Sequence, residues 1–93
     1  MTYADLQEAL RILGLGERAT LGEIKARHRE LVKCHHPDAG AQGDPERIRL
    51  INAAYRIVSE YVAGYRFSFT EDEFYEQNPD ERLRNQFMDF YRN

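Results

Sequence analysis

Five apolar residues spaced 3, 4, 3, 4 along the chain (Ile48, Ile51, Tyr55, Val58 and Val62) run through the segment DPERIRLINAAYRIVSEYVAG. That spacing is the repeat of one helix face; as a strand, the same residues would scatter over both sides. Asp44 is a strong N-cap, and Pro45 occupies the first helical position, where its missing N–H costs nothing. A helix with one long apolar stripe and a charged back has to lay the stripe against something. With 93 residues there is room for one core, so the covering surface has to come from neighbouring segments.

Two earlier segments can supply it. Tyr3, Leu6, Leu10 and Leu13 form one stripe of a short first helix, with Thr2 as its N-cap and Gly14 and Gly16 at its end. In ATLGEIKARHRELVKCHHP, Thr20 and Glu23 have the spacing of a capping box. From Leu21 the buried face is expected to run through Ile24, His28, Leu31 and His35, with Val32 at its margin, until Pro37 stops the helix. The loop DAGAQG then leads into the striped helix. The expected fold is all-α: an antiparallel pair of helices with the short first helix laid across it, within residues 1–63.

Beyond Gly64 the character changes. Residues 1–63 hold nine Lys and Arg against nine Asp and Glu, whereas residues 64–93 hold four against seven and so carry the whole net charge of −3. Eight aromatic residues crowd into that second segment. YRFSF alternates aromatic and polar residues and reads as extended; Thr70 with Glu73 predicts a one-turn helix; NPDERLRNQFMDFYRN starts another, with Asn78 as cap and Pro79 at the first position. So many aromatics argue against a disordered tail. The simplest expectation is that residues 64–93 form an extension whose phenylalanines fold back over the first and third helices; the alternatives are a partner-binding arm, or a mask whose acids pair with basic residues of the second helix.

The stretch KCHHPD invites two chemical readings, and geometry disfavours both. Successive helical side chains diverge by about 100°, so Cys34, His35 and His36 cannot converge on one metal ion while helical. Ligand pairs such as C-x-x-C are missing, so neither a metal nor another cofactor is expected. A Cys–His nucleophile would need an oriented third group and a pocket, which so small a helical chain hardly offers, so an enzyme is not expected.

The basic residues are more telling. With Lys25 set at zero on a helical wheel, Arg29 falls at about 40°, Lys33 at about 80° and His36 at about 20°, beside the apolar face. A cationic stripe therefore flanks the core and ends at His36, Pro37 and Asp38. The stripe is short and the chain acidic overall, which argues against nucleic acid. The lone cysteine suits a reducing compartment and no apolar run suggests a leader or membrane span, so a soluble, cytoplasmic monomer is the expectation.

Taken in order, these segments resemble the J-domain family, the DnaJ-like co-chaperones. ALRILGL is similar to the family's first helix, ATLGEIKARHRELVKCHHPD to its basic second helix and His-Pro-Asp motif, and RIRLINAAYRIVSEY to its third helix with the pattern I-N-x-A-Y. The resemblance covers residues 3 to about 61. It implies that the chain docks on a DnaK-type seventy-kilodalton heat-shock chaperone and stimulates ATP hydrolysis there. His36, Pro37 and Asp38 would be the trigger, and Lys25, Arg29 and Lys33 the electrostatic handle. A J-like scaffold that binds a partner through its aromatic tail, without driving hydrolysis, is the alternative. The chain departs from the family pattern at Glu30, where a basic residue is common, at Ala39 and Gly40, and at Arg27, which replaces a small residue and is expected to be exposed.

Overall fold

A computed structural model describes residues 1–35 and 43–92. Five helices follow in order: α1 (Tyr3–Leu13), α2 (Leu21–His35), α3 (Pro45–Ala63), α4 (Glu71–Gln77) and α5 (Pro79–Arg92). No strand occurs among the described residues, and the fold is the expected all-α one.

The stripe on α3 organises the first three helices. Ile51, Ala54 and Val58 are buried against Ala9 and Leu13 of α1 and Ile24 of α2. Leu6, Leu10, Leu31, Val32, Tyr55 and Val62 close around them, half-covered. Leu13 and Ile51 are fully enclosed, and each such side chain contributes about 2–3 kcal/mol by leaving water. Helix α3 is thus the spine on which α1 and α2 both rest. Two contacts fix the direction of the α2–α3 pair. His35 at the end of α2 meets Asp44 at the start of α3, and two turns earlier His28 meets Asn52. The two helices run antiparallel.

The ends of the helices account for their lengths. Thr2 and Asp5 form a reciprocal capping box, with each side chain accepting the other residue's backbone N–H. At the far end of α1, Gly14 adopts a left-handed conformation (φ 68°), Gly14 N–H bonds the carbonyl of Arg11, and Leu15 N–H bonds that of Leu10. This is a complete Schellman closure, and the positive φ is why glycine stands there. The Thr20 hydroxyl accepts from Glu23 N–H at the start of α2, and the Asp44 carboxylate accepts from Arg47 N–H at the start of α3.

Four expectations need correction. Tyr3 and Leu21 lie at the outer ends of their stripes and are exposed, since the packed surface of α3 is covered by the residues nearer the middle of α1 and α2. Helix α4 spans two turns rather than one, and Asn78 does not cap α5 with its side chain: its amide donates back to the carbonyl of Phe74, closing α4 instead. The tail aromatics do not cover α1 and α3. Helices α4 and α5 pack on each other, Phe67, Phe69 and Phe74 are exposed, and the molecule measures 67 × 31 × 16 Å. Core closure around α3 is already provided by α1 and α2, so the phenylalanines are not needed there.

Candidate docking surface

The residues singled out by sequence divide between described and undescribed parts. Lys25, Arg29 and Lys33 lie on α2 and are exposed. None of the three is ion-paired to a carboxylate among the described residues. His36, Pro37 and Asp38 lie outside the described residues, as do Ala39 and Gly40. What the structure gives for that segment is its two anchor points. Asp44 N–H donates to the His35 carbonyl at 3.0 Å, so the last helical residue of α2 and the N-cap of α3 are tied directly together.

The pattern I-N-x-A-Y in α3 has a physical reason at each of its four named letters. Ile51 and Ala54 are core residues. Asn52 Oδ1 accepts a hydrogen bond from His28 Nε2 at 2.9 Å, and Tyr55 stacks flat on the same imidazole, with ring centroids 3.9 Å apart and planes 3° from parallel. One histidine of α2 is therefore gripped by two residues a turn apart on α3. Ile24 is the one buried residue of α2, with Leu31 and Val32 half-covered beside it, so this polar and aromatic grip adds to a modest apolar contact. The sequence marked His28 as a core-edge residue, but nothing in its spacing announced the bond to Asn52.

Arg27 is the clearest surprise. It was expected to be exposed; it is half-buried, because it turns toward α1. Its Nε donates to the Leu13 carbonyl at 2.8 Å, a group left unpaired by the helix end. Its Nη1 pairs with Glu30 at 3.1 Å. A Cβ placed on Gly14 would stand 3.0 Å from Arg27 Nη2, so the guanidinium would have to shift by a few tenths of an ångström; glycine eases this approach as well as supplying the φ. The pairing also alters the meaning of Glu30. Its charge is turned toward Arg27, on the side of α2 away from Lys25 and Arg29, so the cationic stripe is less weakened than the sequence suggested. The gain from such an exposed pair is small, about 0.3–0.5 kcal/mol, but its direction is the point here.

Cys34 is exposed at the end of α2. Among the described residues no group of three or more His, Cys, Asp or Glu could hold a metal ion, and no helix is long and apolar enough to cross a membrane.

Comparison with known proteins agrees with this geometry. The family model for the DnaJ domain matches residues 8–63, more than half of the chain. An uncharacterized 19.0 kDa protein in the cobS 5′ region of Sinorhizobium sp is 46% identical over 60 residues, which cover 62% of this chain and 34% of that one. The DnaJ-like protein MG002 homolog of Mycoplasma pneumoniae is 37% identical over 95 residues, covering 96% of this chain and 28% of that one. The chaperone protein DnaJ of Ureaplasma parvum is 45% identical over 49 residues, 53% of this chain and 13% of its own length. The chain thus spans about a third or less of these curated relatives. No solved structure gives a significant match. With two helices packed on a striped third, a basic second helix and a family match from residue 8 to residue 63, the chain belongs to the DnaJ-domain family.

Proposed function

We propose that this chain is a co-chaperone that docks on a DnaK-type heat-shock chaperone and stimulates its ATP hydrolysis, aiding protein folding. Residues 1–63 are the docking domain and residues 64–93 an extension of it. His36, Pro37 and Asp38 are the trigger; Lys25, Arg29 and Lys33 steer the encounter. The observation that carries this reading is the row of three exposed cations on α2, leading into a segment whose ends are tied by the Asp44–His35 hydrogen bond. Such a row accelerates association with an acidic surface and makes binding salt-sensitive. An aspartate presented between fixed ends can accept charge-assisted hydrogen bonds from a partner's arginine. The hydrolytic chemistry belongs to the partner, so the chain is not an enzyme and needs no cofactor. It works as a cytoplasmic monomer, apart from nucleic acid and membranes.

The test is single-turnover ATP hydrolysis by a DnaK-type chaperone with the intact chain and with His36→Gln. Stimulation by the wild type that disappears in the variant, with helical content unchanged, is expected. A variant that stimulates as well as wild type would refute the assignment of the trigger.

The exposed aromatics favour a second reading alongside the first, that of an interaction module acting through the arm beyond Gly64. Phe69 is 93% exposed and Phe67 is 67% exposed. Exposed apolar side chains clustered in one stretch are a surface that a partner can cover.

A further inference from the structure

We propose that residues 65–90 bind a basic, apolar polypeptide segment of another protein, seating its apolar side chains on the arm's aromatic ladder and its cations among the arm's acids. The inference rests on the interaction-module reading and names the chemistry of the partner.

The ladder begins on α3. Tyr61 and Tyr65 meet edge to face with centroids 6.0 Å apart, and Tyr65 and Phe67 do so at 5.7 Å. Phe69, two residues beyond Phe67, is almost fully exposed and adds further apolar surface next to these contacts. Directly after it, α4 and α5 enclose a shallow groove of about 210 Å³, with Phe74, Tyr75 and Met88 on its walls and Glu81, Arg84 and Asp89 at its edge. Arg84 is already paired to Glu81 at 3.4 Å, so it offers little to an incoming anion.

The positions of the acids decide the partner's charge. Glu71, Asp72, Glu73, Asp80 and Glu81 lie in first turns, where the helix dipole favours negative charge, so helix stability alone explains them. Glu76 and Asp89 are different. Each lies in the last turn of its helix, where the same dipole disfavours a carboxylate, and neither has an ion-pair partner among the described residues. Helix formation gives no reason for them, whereas a cationic ligand does. A second copy of the chain fits less well. Its cations on α2 are flanked by little exposed apolar surface, and residues 1–63 carry no net charge to complement the arm.

The experiment is fluorescence anisotropy with the whole chain and short labelled peptides that share alternating Leu and Phe but carry Lys, Glu or Ser between them. The Lys peptide should bind at least roughly ten-fold more tightly than the Glu peptide, and its affinity should fall as salt is raised. Phe67→Ser with Phe69→Ser, and separately Glu76→Lys with Asp89→Lys, should each weaken the Lys peptide by roughly ten-fold with circular dichroism unchanged. His36→Gln should bind like wild type, which separates this site from the proposed trigger. Equal affinity for the Lys and Glu peptides would overturn the charge assignment while leaving an interacting arm. Sedimentation equilibrium showing a dimer that Phe67→Ser with Phe69→Ser dissolves, with no peptide bound, would overturn the proposal in favour of a second copy. Neither binding nor self-association would overturn the interaction-module reading as well.

Discussion

Replacing Arg27 by alanine should destabilise the helical body by about 1.5 kcal/mol, and the reasoning can be followed term by term. The side chain donates to the Leu13 carbonyl at 2.8 Å and is part-exposed. A hydrogen bond with one charged partner is worth about 1.5–3 kcal/mol, and the lower end applies because water can reach the carbonyl once the guanidinium is gone. The exposed pair with Glu30 adds about 0.3 kcal/mol, and the better helix propensity of alanine returns about 0.2 kcal/mol. For a domain of this size the net loss corresponds to a drop in Tm of roughly 6–12 °C. Gly14→Ala should cost about 2 kcal/mol, from left-handed backbone strain together with displacement of the guanidinium. In the double variant the displaced group is no longer there to lose, so the combined cost should fall short of the sum by at least about 0.5 kcal/mol. Arg27→Met, which keeps the alkyl stem without a donor, should lose nearly as much as alanine. Urea unfolding followed by circular dichroism gives each value, with constant m showing that stability alone has changed. A loss below about 0.5 kcal/mol for Arg27→Ala, or additivity within about 0.3 kcal/mol, would refute the interlock.

Other outcomes follow from the same geometry. Tyr55→Ala should cost about 2–3 kcal/mol in urea unfolding, less than a fully enclosed aromatic because the ring is only half-covered, and a loss under half of that would contradict the stack on His28. The Asp5 carboxyl is held below its ordinary range, first by the Thr2 backbone N–H and then by the Thr2 hydroxyl. Its folded pKa is therefore the lower one, so its contribution is present above the ordinary carboxylate range and lost as pH falls through the folded value. Asp5→Asn should accordingly show a shallower acid-side decline in Tm than wild type, and parallel profiles would exclude the box as the cause. Reversing Lys25, Arg29 and Lys33 to glutamate should abolish stimulation of a DnaK-type ATPase without unfolding the chain; retained, salt-independent stimulation would remove the electrostatic handle from the mechanism.

Periodicity made the three-helix body legible because it reports directly on which residues must leave water. Ile51, Val58 and Leu13 could be assigned to the core from spacing alone, and Asp44 and Pro45 announced the start of α3. Interactions at the margin of the core were harder to read. Arg27 was placed outside because the wheel measures angle from the axis of one helix, whereas its long stem reaches a carbonyl on another. The bond from His28 to Asn52 depends on two residues 24 apart meeting, and no single-helix pattern contains that information. Asn78 illustrates a local ambiguity: it stands between two helices, and the same side chain could cap either. The tail misled for a different reason. Aromatic content signals that surface wants a partner, and it does not say whether that partner is the chain's own core. His36, Pro37 and Asp38 form the most recognisable motif in the sequence and lie outside the described residues, so the trigger proposed for them draws on family resemblance and on the cations beside them.

The arm also changes how the molecule would travel in solution. A compact chain of this length has a radius of gyration of about 12 Å, whereas this one has 19.1 Å. Its friction is that of a rod rather than a ball, so a single copy should elute from a gel-filtration column ahead of globular standards of 11.0 kDa and imitate a dimer. Light scattering on the eluting peak, which weighs the particle rather than timing it, should return the mass of one chain.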